Sequence, residues 1–266
     1  MTRSCHSPNH VRSRAATPRA TWANPSVTTG AGNVIERVMD GDKAALLFDP
    51  PYGVAYQSHM AEGGTASRFK PIENDDLKPE QLQQFLSDAF SAAVVGLRPG
   101  AAIYVCHANQ RPGIYAAFEQ ALLKNEFFIS TVIVRVKPGA TMGWQDYRSR
   151  YGPILYGWRK GAERRKVLDR TETNVWQIGK DAPSSYVHPT QKPVALSERA
   201  IRNSSLAGDV VLDLFGGSGS TLIACEKTER AARLVELDPG YCDVICKRWE
   251  RATGLKAERV GSGACA

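Results

Sequence analysis

Nowhere in the 266 residues do apolar side chains run for anything near the ~20 positions that a membrane-spanning helix requires. The amino-terminal residues lack the apolar core of a secretory signal. Paired cysteine spacing is missing as well. The six cysteines fall at positions 5, 106, 225, 242, 246 and 265, none in a CxxC pair, and Cys225, Cys242 and Cys246 lie in helix-like stretches. No metal site is expected from them, and scattered thiols fit a reducing cytoplasm. Acidic side chains are absent from residues 1–30, where Arg3, Arg12, Arg14 and Arg19 stand among Pro, Ser, Thr and Ala. With no periodicity and little to bury, residues 1–32 are expected to form a disordered basic arm, and 33–266 a single domain. The formal net charge of +7 suits a polyanionic partner.

What is present begins with Ala44-Ala45-Leu46-Leu47-Phe48, a buried-strand pattern running into Asp49-Pro50-Pro51-Tyr52. Open α/β sheets bind ligands at the carboxyl ends of their strands. Two prolines stiffen such a turn and contribute no amide donors. A carboxylate and carbonyl acceptors beside an aromatic ring suit a flat substrate bearing an amino group, such as a nucleobase. A proline-rich turn with a capping Asp would show the same four residues.

Val210-Val211-Leu212-Asp213-Leu214 is a second strand pattern, and Phe215-Gly216-Gly217-Ser218-Gly219-Ser220-Thr221 leads from it into a helix near Leu222. Glycines let a backbone approach a ligand, and a helix amino terminus presents free amides. A further strand, Ala231–Val235, ends in Glu236. An acidic residue about 20 positions beyond the loop suits ribose hydroxyls. No lysine of the phosphate-binding kind follows the loop, which favours a nucleoside-like cofactor over a nucleoside triphosphate. Ahead of it, His188-Pro189-Thr190-Gln191-Lys192-Pro193 precedes a helix from about Val194 to Ser205.

Together these three segments resemble motifs IV, I and X of DNA amino-methyltransferases, in the permuted order called β: motif IV first, a target-recognition region next, X and I last. The resemblance covers roughly Asn33 to Gly254. It implies S-adenosylmethionine as cofactor and double-stranded DNA as partner, with a cognate restriction system or none. It also implies a Rossmann-like sheet with one antiparallel strand, for which Phe127–Val136 is the candidate. By the same resemblance Asp49, Pro50, Pro51 and Tyr52 would be catalytic. Asp213, Phe215, Gly216, Gly217, Ser218, Gly219 and Thr221 would line the cofactor, Glu236 would hold its ribose, and Thr190 and Lys192 would approach its carboxylate. An Asp opening the tetrapeptide favours adenine N6 over cytosine N4, whose enzymes more often carry Ser there. Two features depart from the family. The strand and Gly-Asp expected upstream of motif IV are matched only by Gly41-Asp42, and Gly152 stands where an acidic residue is usual.

The order of parts predicts an α/β sheet with helices on both faces. Helices are expected at Pro79–Leu97, Pro112–Lys124 and Pro239–Thr253, and strands at Ala101–Cys106 and Phe127–Val136. Residues 139–187 read as the recognition insertion. They hold nine Lys or Arg against five acids, interleaved with Trp144, Tyr147, Tyr151, Tyr156, Trp158, Trp176 and Tyr186. Cations supply phosphate affinity and rings can stack on bases. Arg148, Arg150, Arg164, Arg165 and Lys166 are the expected DNA contacts, while Tyr156 and Trp158, in a strand-like run, are expected to include core residues. Two rival functions remain open: a DNA-binding protein that keeps the fold with weak catalysis, and a methyltransferase of protein side-chain amides, against which Asp49 and the permuted order speak.

Overall fold

The computed structural model describes residues 10–13, 20–23, 31–41, 43–48, 50–52, 74–108, 113–140, 146–167, 169–179, 181, 187–188 and 190–260. Its strands are β1 (His10–Ser13), β2 (Ala20–Ala23), β3 (Ala44–Phe48), β4 (Ala102–Cys106), β5 (Phe127–Val136), β6 (Tyr151–Arg159), β7 (Val175–Gln177), β8 (Val210–Asp213), β9 (Ala231–Val235) and β10 (Ala257–Val260). The helices are α1 (Ala31–Met39), α2 (Pro79–Gly96), α3 (Ile114–Lys124), α4 (Val194–Ser204), α5 (Ser220–Lys227) and α6 (Pro239–Thr253). All ten strands join one sheet in the order β10-β1-β2-β9-β8-β3-β4-β6-β5-β7.

Strands β2, β9, β8, β3 and β4 run parallel. Their interior is covered on both sides, so β4 is buried at all five positions. One core joins α1, α2 and α3 to the sheet through Val38, Leu86, Phe90, Phe118, Ile103, Val105 and Leu212. The other joins α4, α5 and α6 to the opposite face through Leu196, Ile201, Leu222, Ile245, Trp249, Tyr104 and Leu234. The helix limits follow local chemistry. Pro79 opens α2, and the Gln81 side chain accepts the Lys78 amide at 3.2 Å. Asp238 caps α6 through the Gly240 and Tyr241 amides, and Gly254 ends it at φ 73°.

Three expectations need correction. Residues 1–32 are not a disordered arm throughout, because β1 and β2 lie within the sheet and β2 runs beside β9, with Ala23 opposite Val235. Main-chain pairing places four-residue strands that carry too little side-chain pattern to read. A strand upstream of the tetrapeptide is thus present as β2, beside β9; Asp42 itself lies outside the described residues. Second, the reversed strands are β6, antiparallel to both β4 and β5, and β1, antiparallel to both β2 and β10, while Phe127–Val136 runs with the parallel set. Third, 139–187 is no self-contained insertion. Its middle is β6, with Ile154 and Leu155 in the two cores and Tyr156 buried beside Tyr104, their ring centroids 5.0 Å apart. Gly157 is required there: a Cβ would lie 1.9 Å from the Phe128 carbonyl oxygen, next to the register shift between Ile129 and Thr131.

Candidate active site

Pro50–Tyr52 follow β3, the glycine turn follows β8, and Glu236 follows β9. These three strands are adjacent in the sheet and parallel, so the segments meet at one carboxyl edge, the edge that serves ligands in such sheets. Asp49 lies outside the described residues, immediately between Phe48 and Pro50. Pro50 is buried and Tyr52 half-buried, packed against both cores. The Tyr52 amide donates to buried Asp75 Oδ1 at 3.0 Å. Asp75 therefore pins the end of the tetrapeptide, a role its sequence position gave no sign of.

The turn after β8 is held from several sides. Buried Asp213 accepts the Phe215 amide at 2.9 Å, and the Gly216 amide donates to the Val235 carbonyl at 2.9 Å. Gly217 adopts φ 50°, a region unfavourable to β-branched residues. Its amide donates at 2.6 Å to Glu236 Oε2, while Glu236 Oε1 accepts the Asp238 amide at 2.8 Å. Burial raises the pKa of Glu236, and these amides oppose the shift. A carboxylate offers about four acceptor positions, so two hydroxyl donors can be added to the two amides. Thr221 and Ser218 are buried in the turn and the helix it opens, and Gly219 caps α5 at φ 78°. Phe215 leans on Phe85, with centroids 6.0 Å apart.

The segment before α4 closes over this turn. Ser220 Oγ donates to the Lys192 carbonyl at 2.8 Å. The Lys192 ammonium lies 4.7 Å from the centroid of the Tyr52 ring and donates to the Thr190 carbonyl at 3.3 Å. One residue thus touches both the start of α5 and the Tyr52 ring. The Thr190 amide donates to His188 Nδ1 at 3.3 Å, which leaves the ring proton on Nε2, the nitrogen nearer Gly217. The His188 ring packs on Tyr241 at 4.4 Å. Tyr241 was not foreseen; the helix start at Asp238-Pro239, just past Glu236, was the available signal. His107, directly after β4, is also buried at this edge. Its Nδ1 lies 2.9 Å from the Ala108 carbonyl, its Nε2 has no hydrogen-bond partner among the described residues, and burial lowers its pKa.

The basic candidates separate. Arg148 and Arg150 are exposed and precede the reversed β6, so they lie at the carboxyl edge with the site, where the Lys137 amide donates to the Arg150 carbonyl at 2.7 Å. Arg164, Arg165 and Lys166 follow β6 and therefore lie at the opposite edge. There the Gly100 amide donates to the Arg159 carbonyl at 2.9 Å, the Arg164 guanidinium stacks 4.3 Å over Trp158, and Lys166 pairs with Glu163 at 3.3 Å. The five expected DNA contacts thus divide between the two edges, because β6 carries the chain across the sheet. Trp144 and Tyr186 lie outside the described residues. Among the described residues no group of three or more His, Cys, Asp or Glu is placed to hold a metal, and no helix is long and apolar enough to cross a membrane.

Comparison with known proteins gives concordant matches. Residues 45–247 match a family profile described as DNA methylase. The type II methyltransferase M2.MboI of Moraxella bovis is 21% identical over 244 residues, which is 84% of this chain and 87% of that protein. M.HpaI of Haemophilus parainfluenzae is 43% identical over 61 residues, 23% of this chain and 19% of that protein. Among solved structures, the M1.HpyAVI–SAM complex superposes with a TM-score of 0.62 at 21% identity, covering 86% of this chain and 99% of that one. The cytosine-N4-specific PvuII DNA methyltransferase superposes with a TM-score of 0.64 at 15% identity, covering 91% and 93%.

Proposed function

The chain belongs to the DNA methylase family, and from that premise we propose that it is a site-specific methyltransferase acting on the exocyclic N6 of adenine in a base rotated out of the duplex. One observation carries the reading. The Tyr52 ring and the Gly217–Glu236 pair, far apart in sequence, lie at one sheet edge, and Lys192 links the Tyr52 ring to Ser220, where the same glycine turn enters α5.

S-adenosylmethionine, when bound, supplies an electrophilic methyl group on a sulfonium. The residues fit a ligand of that kind: a buried carboxylate with acceptor capacity left for hydroxyls, a turn whose Gly217 backbone is open to close approach, and a lysine for a carboxylate. Glu236 would hold the ribose, Asp213 and the Phe215–Gly219 turn would orient the nucleoside and amino-acid portions, and Thr221 anchors the first turn of α5. Thr190 and Lys192 would approach the carboxylate. An amino group inside a duplex is out of reach, so the base leaves the stack, at a cost of a few kcal/mol offset by pocket contacts. Tyr52 stacks on it. Asp49 and the Pro50 carbonyl accept its amino hydrogens, which raises electron density on nitrogen and favours the partly cationic, pyramidal nitrogen of the transition state. Pro51 stiffens the turn, and positioning supplies much of the acceleration. Arg148 and Arg150 contact the DNA backbone at this edge.

Asp at the first tetrapeptide position supports adenine. The fit to a cytosine-N4 enzyme keeps cytosine N4 as the second reading. Methylation-sensitive sequencing of DNA from cells expressing the protein tests both, with N6-methyladenine at one short motif expected and N4-methylcytosine overturning the assignment. Cofactor binding with no methylated base at all would point to a DNA-binding protein that keeps the fold. The kinship to type II methyltransferases makes a companion restriction nuclease our expectation.

A further inference from the structure

Arg248 projects from α6 into the underside of the cofactor turn, its side chain 15% exposed. One terminal nitrogen, Nη1, donates to the Ser218 carbonyl at 3.0 Å and lies within reach of Ser218 Oγ at 3.0 Å and Ser220 Oγ at 3.1 Å. The other, Nη2, stands 3.8 Å from Asp181 Oδ2. That oxygen also accepts Gln191 Nε2 at 3.3 Å, and Gln191 Oε1 accepts the Val187 amide at 3.1 Å. Ser220 Oγ spends its own proton on the Lys192 carbonyl. A single guanidinium therefore joins α6, the glycine turn and Asp181, and through Asp181 and Ser220 it reaches Gln191 and Lys192, the strap beside the turn.

The placement is electrostatically awkward. A cation beside the amino terminus of α5 opposes the helix dipole, and burial disfavours its charge. Ordering the turn alone does not call for a cation, since Ser218 and Ser220 could bond each other at their present 3.3 Å. What the arginine adds is the span between turn and strap. A lysine, a point charge without the planar fork, cannot make both sets of contacts at once.

We propose that Arg248 is a positioning residue for the cofactor site, setting the distance between the glycine turn and the Gln191–Lys192 strap through its pairing with Asp181. The inference rests on the reading of that turn and strap as the walls of the S-adenosylmethionine pocket. Arg248 touches neither the donor nor the base, so its loss acts on cofactor affinity and not on the chemical step.

Titration calorimetry of S-adenosylmethionine into the full-length protein tests this with Arg248→Met, Arg248→Lys, Asp181→Asn and the double variant Arg248→Met/Asp181→Asn. Arg248→Met is expected to raise Kd about tenfold, in line with the loss of charge-assisted hydrogen bonds. Arg248→Lys recovers part of that, and Asp181→Asn raises Kd about threefold, since it keeps a hydrogen-bonding side chain. The double variant binds no worse than Arg248→Met, because Asp181 acts through Arg248. With saturating cofactor, kcat stays near wild type while the cofactor KM rises. Wild-type affinity in Arg248→Met, or additive losses in the double variant, overturns the proposal. If Arg248→Met does not fold, wild-type affinity in both Arg248→Lys and Asp181→Asn does the same. Glu236→Ala separates the two levels. If it weakens binding while the Arg248 variants do not, the clamp alone is wrong. If it binds as wild type, or the wild type binds no S-adenosylmethionine, the pocket assignment and the clamp fall together.

Discussion

The two edges of the sheet handle buried polar groups in opposite ways. At the amino edge, Arg230 donates to the Ser205 hydroxyl at 3.1 Å, to the Ser205 carbonyl at 2.7 Å and to the Thr228 carbonyl. Arg98 pairs with Asp209 at 3.3 Å, Asp209 accepts the Leu206 amide at 2.8 Å, and Arg159 closes on the Val94 and Leu97 carbonyls. Each of these charges finds a partner inside the protein, although Arg159 Nε has none among the described residues. At the carboxyl edge, Glu236 keeps acceptor capacity beyond its two amides, His107 Nε2 has no partner among the described residues, and a lysine rests on an aromatic ring. The first arrangement ties chain reversals together; the second leaves groups in place for a ligand. Substitutions should therefore cost stability at one edge and activity at the other.

The sharpest break of that contrast is Asp49→Ala. Methyl transfer should fall ~100-fold or more, as when a preorganised acceptor at a reacting centre is lost, while calorimetric cofactor affinity stays near wild type. Equal single-turnover rates would remove Asp49 from the chemistry. Next in size, Glu236→Ala and Gly217→Val should each weaken S-adenosylmethionine binding about tenfold or more, roughly one charge-assisted contact. In Gly217→Val the loss comes from forcing a β-branched residue to φ 50° and only secondarily from bulk, since a Cβ there meets nothing closer than 3.7 Å.

At the other edge, Arg230→Met should lower unfolding free energy by about 1–3 kcal/mol, the cost of stranding buried acceptors, with kcat/KM intact. Urea unfolding beside steady-state kinetics decides it. A smaller effect sharpens the comparison for DNA. Replacing Arg148 and Arg150 with Gln should reduce the slope of log affinity against log salt by about 2, near 0.9 per lost phosphate contact. Replacing Arg164, Arg165 and Lys166 should leave the slope unchanged, and the reverse result would move the DNA surface to the amino edge.

The smallest expected effect is a pH dependence. Burial lowers the pKa of His107 below its ordinary 6.5. Between the folded value and 6.5 the unfolded chain binds the extra proton, so stability falls as pH drops through that window and is regained above it. His107→Phe should flatten this acid limb in thermal melts recorded from pH 7 downward. An unchanged limb would place the titrating group elsewhere.

That Pro50–Tyr52, the Phe215–Gly219 turn and Glu236 come to one edge was legible because each lies at the end of an apolar run, and strand ends are where such runs stop. The limits of β5, β9 and α6 agree with the pattern for the same reason. Strand direction was not legible: Tyr151–Arg159 alternates identically read either way, so nothing in it announced that β6 reverses and carries Arg164–Lys166 across the sheet. Charge density marked 139–187 as one region, although its middle is core. Asp75, Tyr241 and Arg248 were missed because tertiary proximity alone gives them their roles.

The pairing of β1 with β10 has an evolutionary and engineering consequence. Ser13 lies opposite Ala257 and His10 opposite Val260, so the outermost strands of the chain are already neighbours. A short linker there would close the backbone into a ring, and such a ring tolerates opening at an exposed loop. Opened at Leu206–Asp209, where Leu206 is 54% exposed, it would begin with the glycine turn and reach the proline tetrapeptide later, with every strand pairing kept. Motif order is then a record of where a common ring is cut, and permutants opened at this loop should fold to the same sheet.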